Sequence, residues 1–420
     1  MSKKNIVLIV GTFIPFPSAV GNCALNMARV LGQDHNVTVI CLPPTSTTKI
    51  NTDISYITRV IDYAVNTYEK SKSKSIFGAF YYRGCSFLFR LLSFFRLIFK
   101  RNSVDGKLVK SYCDTLNHID SESTIDIVMP FIFPIEAAVA ASNFKSINTK
   151  VKVVNFYFDD FLNSATLHRF RLNKYLKSKE NLNVFKSVYF TADLNLAMES
   201  FRKNFESLSR EGKVKTVFVE HPLLVNRGDR NYESNSDNKM GDSTILFYGG
   251  ALIKGYVEAG YLLKLLQDIE TDFIINFCIF GSGISSVNNA DFNDGKRLIN
   301  CGKVSKVTLD DKIETSNFLI SIGEVNGKQI SSKVFEYMSF GKPLIHIASN
   351  PNCATARLLE KYPLALIIYE NSEHCANLIS MDAFLKNNKN KRLSFCEVAK
   401  IYPEALPSNV AKTIFSILEE

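Results

Sequence analysis

Lys333 and Glu336 stand three residues apart in the run Gln329-Ile-Ser-Ser-Lys-Val-Phe-Glu-Tyr-Met-Ser-Phe-Gly-Lys-Pro-Leu-Ile345. A helix starting near Ser331 or Ser332 brings both side chains to one side. Serine is a favoured N-cap, and the unpaired amides and dipole of a helix start attract anions. A lysine in the first turn opposes that dipole, so its placement predicts an anion beside it. A carboxylate one turn on, at Glu336, can accept two hydrogen bonds from a vicinal diol such as a ribose. The competing reading is a plain surface Lys–Glu pair, worth roughly 0.2–0.5 kcal/mol.

Other residues suit the same ligand. The strand Thr244–Tyr248 enters Gly249 and Gly250, which lack a Cβ and let backbone amides approach a diphosphate. Lys254 adds a counter-charge. Gly281-Ser282-Gly283 follows the strand Phe273–Phe280 as a further glycine loop, which by itself is a weak signal. The dinucleotide fingerprint Gly-x-Gly-x-x-Gly is absent, because residue 286 is serine. Asp159 and Asp160 close the strand Val151–Phe158. They fit a general base for a hydroxyl proton, or a helix N-cap before Phe161. Glu324, in the loop Gly323–Gly327, is a further carboxylate candidate. His168 is a weaker one, and so is His221, which precedes Pro222 and reads rather as part of a turn.

These groups need strands and helices to hold them. Asn5–Val10 is an apolar run of parallel-strand type, followed by a Gly/Pro loop from Gly11 to Gly21. Asn22–Leu31 reads as a helix and Val37–Cys41 as the next strand, which makes a βαβ unit. The alternation continues through Ile125–Pro130, Ile135–Ala141, Val151–Phe158, Leu194–Phe201 and Val214–Glu220. Residues 223–243 are polar and read as a linker. Beyond them the grammar repeats: helix Tyr256–Ile269, strand Phe273–Phe280, strand Asn317–Ile322, helix Ser331–Phe340, strand Pro343–Ile347 and helix Cys353–Leu359. Ala405–Glu420 reads as a last helix.

Three stretches together resemble the GT-B-fold glycosyltransferases, in the branch related to family 4. They are Gly11-Thr-Phe-Ile-Pro-Phe-Pro-Ser-Ala-Val-Gly21 with Asn36-Val-Thr-Val-Ile40, then Ile245-Leu-Phe-Tyr-Gly-Gly-Ala-Leu252 with Lys254-Gly255, and the run from Gln329 to Ile345. The last is the most specific. It looks like the family's "Pro-Ser-Lys-x-x-Glu-Tyr-Met-x-x-Gly-Lys-Pro" segment, with Ser331 in place of proline. The resemblance covers nearly the whole chain, in order.

It implies an α/β chain of two Rossmann-like domains facing across a cleft. Residues 1–222 would take the acceptor, with Pro17 and Gly21 in the acceptor-side loop. Residues 244–404 would take the nucleotide-sugar. Residues 405–420 would cross back to the first domain. The implied activity is transfer of a sugar from a nucleotide-sugar to a glycan or lipid-linked acceptor, in bacterial surface polysaccharide synthesis. The implied donor site is Gly249, Gly250, Lys254, Gly281, Ser332, Lys333 and Glu336, without a metal. This chain departs from the common family pattern at two places. Gly250 and Ala251 stand where many members have an arginine. Lys328 stands where many retaining members carry the first of two glutamates. The second departure keeps open a non-catalytic subunit that binds a partner enzyme or a glycan. An epimerase of the same fold is a third reading.

The whole-chain properties agree. The chain has 420 residues, 46% hydrophobic and 22% charged, enough for two packed domains. Net charge is +9, which suits a phosphate-bearing partner. The nine cysteines show no zinc spacing and fit reduced thiols in the cytoplasm. The basic residues are not interleaved with a recognisable nucleic-acid module. Residues 76–101 alternate aromatic and basic side chains. They read either as an amphipathic helix at the inner face of an anionic membrane or as a core helix with a basic outer stripe.

Overall fold

The computed structural model describes residues 3–14, 18–43, 55–61, 102–158, 161–162, 171–212, 214–227, 243–290, 292 and 295–419. The chain divides into two compact units, Met1–Pro222 with Pro407–Glu420, and Leu223–Leu406.

The first unit is built on a seven-stranded sheet. Its strands are β1 (Asn5–Ile9), β2 (Asn36–Cys41), β3 (Ile57–Val60), β4 (Ile127–Ile132), β5 (Lys152–Tyr157), β6 (Leu194–Met198) and β7 (Lys215–Val219), in the order β3-β2-β1-β4-β5-β6-β7. Each described pair is parallel. β4 and β6 are buried at every residue, which is why they read as unbroken apolar runs and not as alternating ones. Helices α1 (Ala19–Leu31), α2 (Gly106–Glu122), α3 (Glu136–Ile147), α4 (Arg171–Thr191) and α5 (Arg202–Glu211) connect them.

Helix α1 starts earlier than the sequence suggests. Ser18 is its N-cap, and the Ser18 hydroxyl accepts from the Gly21 amide at 3.1 Å. Gly21 is therefore a buried residue of the first turn and not part of a loop. Pro17 lies outside the described residues. Cys23, Ala24, Met27, Ala28 and Leu31 form the buried face of α1.

The second unit is built on a six-stranded parallel sheet, β10-β9-β8-β11-β12-β13. Its strands are β8 (Thr244–Ala251), β9 (Phe273–Phe280), β10 (Leu298–Asn300), β11 (Phe318–Ile322), β12 (Leu344–Ala348) and β13 (Ala365–Tyr369). Its helices are α6 (Gly260–Asp268), α7 (Ile284–Asn288), α8 (Lys306–Thr315), α9 (Ser332–Met338), α10 (Ala354–Leu359), α11 (His374–Asn388) and α12 (Phe395–Ile401). The core joins α6 to the sheet through Leu262, Leu265 and Leu266 against Leu246, Phe273 and Ile320. The last helix, α13 (Pro407–Leu418), belongs to the first unit and lies on α1, where the Phe415 and His35 rings stand 4.7 Å apart.

Two boundaries move for identifiable reasons. Residues 223–227 are not linker. Leu223 and Leu224 are buried, Leu224 donates to the Ala405 carbonyl at 3.2 Å, and the Val225 amide donates to the Ser339 hydroxyl at 3.2 Å. The rest of that polar stretch, 228–242, lies outside the described residues. Helix α6 begins only at Gly260, because Ile253 and Val257 form an antiparallel bridge and Gly255 turns the chain at φ 76°.

Candidate functional site

In the second unit, β8 has β9 on one side and β11 on the other, so the chain reverses its direction across the sheet there. Ligands of open α/β sheets bind beyond the carboxyl ends of the strands at such a switch point. Three connections meet at that end of the unit. The Gly283 amide donates to the Leu252 carbonyl at 2.9 Å. The Lys254 amide donates to the Ser282 hydroxyl at 3.2 Å. The Val325 amide donates to the Tyr256 carbonyl at 2.9 Å, and the Tyr256 hydroxyl to Gln329 Oε1 at 3.0 Å.

The glycine pair lies within β8, not after it. The ladder with β9 runs on through Gly249–Cys278 and Gly250–Ile279 to Ala251–Phe280. The two glycines do different work. The Gly249 amide donates to Tyr337 Oη at 3.0 Å, and the Tyr337 hydroxyl donates back to the Gly249 carbonyl at 3.3 Å. That amide is thus committed inside the protein, which corrects its expected approach to a diphosphate. Gly250 has φ 139°, and a Cβ there would fall 1.9 Å from Lys333 Nζ. Its missing side chain is the space that the lysine occupies.

Lys333 is in the first turn of α9, as expected. Its ammonium lies 5.1 Å from the centre of the Tyr248 ring. No carboxylate pairs with it among the described residues, and burial lowers its pKa from 10.5 to about 8. Ser331 flanks the helix without a side-chain cap bond, its amide donating instead to Thr355 Oγ1 at 2.9 Å, and Ser332 opens α9.

Glu336 does not pair with Lys333, so the simple surface pair is excluded. Glu336 Oε1 meets Lys306 Nζ, and Arg227 Nη2 at 3.3 Å. Both cations also meet Asp310, Lys306 at 2.9 Å and Arg227 at 3.3 Å. Sequence reasoning missed Arg227, Lys306 and Asp310. Arg227 lies in a stretch whose composition reads as linker, and nothing in the local pattern of α8 marks its first turn.

Glu324 is turned to the backbone of its own loop. One carboxylate oxygen accepts from the Lys328 amide at 2.7 Å and the Gln329 amide at 2.8 Å. This closes the loop that leads into α9. Below it, buried His346 bridges the Ser321 hydroxyl at 3.2 Å and the Cys353 thiol at 3.3 Å, and burial lowers its pKa to about 3, so the ring is neutral. Gly281 has φ 111°, and a Cβ would fall 2.3 Å from the Leu252 carbonyl oxygen, so the loops at 252 and 281 pack backbone to backbone. Lys254 is exposed on that edge.

In the first unit, β5 ends at Tyr157, where the sequence placed it to within a residue. Asp159, Asp160 and His168 lie outside the described residues, as does 76–101. His221 is buried, its ring 5.7 Å from that of Phe158. Among the described residues, no helix is long and apolar enough to cross a membrane.

No family model and no curated protein matches the chain. Solved structures do. Anabaena HepE in complex with UDP and glucose is 11% identical, with a TM-score of 0.60 over 98% of this chain and 100% of that one. A UDP-glucosyltransferase from Polygonum tinctorium that glucosylates indoxyl is 13% identical, with a TM-score of 0.52 over 100% and 99%. The UDP-GlcNAc 2-epimerase of Neisseria meningitidis bound to UDP-GlcNAc is 11% identical, with a TM-score of 0.52 over 99% of each. Two parallel α/β units matched along nearly the whole chain give it the GT-B fold.

Proposed function

We propose that this chain is a glycosyltransferase that moves a sugar from a nucleotide-sugar to a glycan or lipid-linked acceptor in cell-surface polysaccharide synthesis. The observation that carries the reading is Lys333, a part-buried cation without a carboxylate partner among the described residues, seated over Gly250 at the switch point of the second sheet. A diphosphate is the anion that fits there, with Lys254 on the exposed edge. Charge that develops on the leaving diphosphate would be met by these ammonium groups, without a metal. Glu336 takes the ribose. The acceptor belongs to the first unit, with Asp159 and Asp160 as base candidates, and residues 76–101 bring the protein to an anionic membrane face.

Thermal-shift and calorimetric titration with nucleoside diphosphates and their sugars tests the donor site. A ligand that binds only the native state at one hundred times its Kd adds about 2.7 kcal/mol of stability. We expect one base and one sugar to stand out, and Glu336→Ala to lose that shift while still melting cooperatively. Unchanged sugar transfer by Glu336→Ala would remove the site.

Glu324 favours a second reading. One oxygen of its carboxylate is taken by two backbone amides, and Lys328 stands where a catalytic glutamate is common in the resembling family. A non-catalytic subunit would bind the nucleotide-sugar and never turn it over. Release of nucleoside diphosphate in the presence of acceptor separates the two.

A further inference from the structure

We propose that Arg227 is a positioning residue that, with Lys306, holds Glu336 by one oxygen and leaves the other for a ribose hydroxyl. This rests on the reading that Glu336 meets the ribose of a nucleotide donor.

Four charges from three parts of the second unit converge. Arg227 comes from the segment before β8, Lys306 and Asp310 from α8, and Glu336 from α9. Asp310 is the anchor, 2% exposed, and its two oxygens take Lys306 Nζ at 2.9 Å and Arg227 Nη1 at 3.3 Å. The guanidinium then reaches Glu336 Oε1 through Nη2 at 3.3 Å, with its centre 5.2 Å from the Phe340 ring centre. A planar fork gripped by two carboxylates and a ring has little freedom to turn.

Both cations land on the same oxygen, Oε1. A carboxylate oxygen has two lone pairs, so two charged donors fill it. Oε2 has no partner among the described residues. A ribose hydroxyl therefore donates to Oε2. The two-oxygen grip on a diol that the sequence suggests becomes a grip through one carboxylate oxygen, Oε2, with Oε1 held by the two cations.

The test is calorimetric binding of three probes to wild type and variants: UDP or GDP, the matching 2′,3′-dideoxynucleoside diphosphate, and inorganic pyrophosphate. Arg227→Gln should weaken the ribonucleotide about tenfold or more, the size expected when a buried charge loses its partner. It should leave the dideoxy probe and pyrophosphate within about twofold, since neither uses Glu336. Arg227→Lys, which keeps the charge, should restore part of the loss. A purely structural role predicts equal losses on all three probes, and that result overturns the proposal, as does no loss at all. Should Arg227→Gln fail to fold, Lys306→Gln at the more exposed member of the cluster makes the same comparison. If wild type binds no nucleoside diphosphate, the donor-site reading itself falls and takes this inference with it. If wild type binds and the variants keep its ribose preference, only the inference falls.

Discussion

Lys333 and Lys342 stand nine positions apart, and burial lowers both pKa values to about 8. Their surroundings differ in kind. Lys342 Nζ donates to the carbonyls of Glu314 and Ser316, the latter at 2.7 Å, and so closes the end of α8. Lys333 has an aromatic face beside it and no such acceptor among the described residues. The two should therefore respond oppositely to replacement by methionine. For Lys333 the unfolded pKa is the ordinary 10.5 and the folded one about 8. Below pH 8 both states are protonated and the folded state bears the full cost of the buried charge. Between pH 8 and 10.5 the unfolded chain holds a proton that the folded one has released, so stability rises with pH. Lys333→Met should thus stabilise the free protein by about 1–3 kcal/mol below pH 8, with the gain fading by pH 10.5. Lys342→Met should destabilise by about 1–3 kcal/mol, because buried carbonyls lose their donor. Chemical denaturation across that pH range checks both signs. Diphosphate affinity in wild type should fall as pH rises through about 8, and Lys333→Met should bind weakly at every pH. A gain in stability together with a loss of binding is what a functional charge predicts and a structural one does not.

At the scale of elements, the Gly341-Lys342-Pro343 turn shows how the last part of the motif serves the fold. α9 carries Lys333 and Glu336, then stops in a turn that must return to β12. Gly341 has φ 67°, and a Cβ would fall 2.0 Å from the Leu393 carbonyl oxygen. The Leu393 amide donates to the Gly341 carbonyl at 2.8 Å. Both obstacles are backbone, so nothing can swing aside. Gly341→Ala should cost about 2–4 kcal/mol, from a left-handed conformation and a backbone displacement together. The midpoint of the second unit's thermal transition measures it. A shift of less than a degree would mean that the segment around Leu393 gives way freely. Gly250 is the contrasting case, since the atom nearest its absent Cβ is the end of a flexible lysine. There the glycine serves the position of a charge, not the closure of a turn.

Across the whole molecule, the C-terminal helix ties the last residues of the chain to the first unit. α13 buries Val410, Ala411, Ile414 and Phe415, and Phe415 packs on His35. Each large apolar side chain buried this way contributes about 1.5–3 kcal/mol. Deleting 407–420 should therefore lower the melting transition of the first unit by several degrees and leave the second unit's transition in place. Calorimetry that resolves the two transitions tests it. A drop in the second transition alone would contradict the assignment of α13 to the first unit.

Much of this was legible in the residues. Parallel sheets covered on both faces need continuous apolar strands, so Phe273–Phe280 and the runs around β1, β4, β5 and β11 could be placed within one or two positions. Helix α9 is marked by Ser331, Lys333 and Glu336, because helix starts and charge placement are local physics. Several things were not local. That Gly249 answers to Tyr337, and Gly250 to Lys333, depends on the 88 and 83 residues that separate them in the chain. Arg227 looked like linker because composition reports solvent preference and not the carboxylates that await a charge elsewhere. Periodicity alone marks the two α/β units, and helix-start preferences put Lys333 in a first turn. Which oxygen of Glu336 meets Arg227 and Lys306, and which oxygen of Glu324 meets two amides, follows from groups that come together after folding.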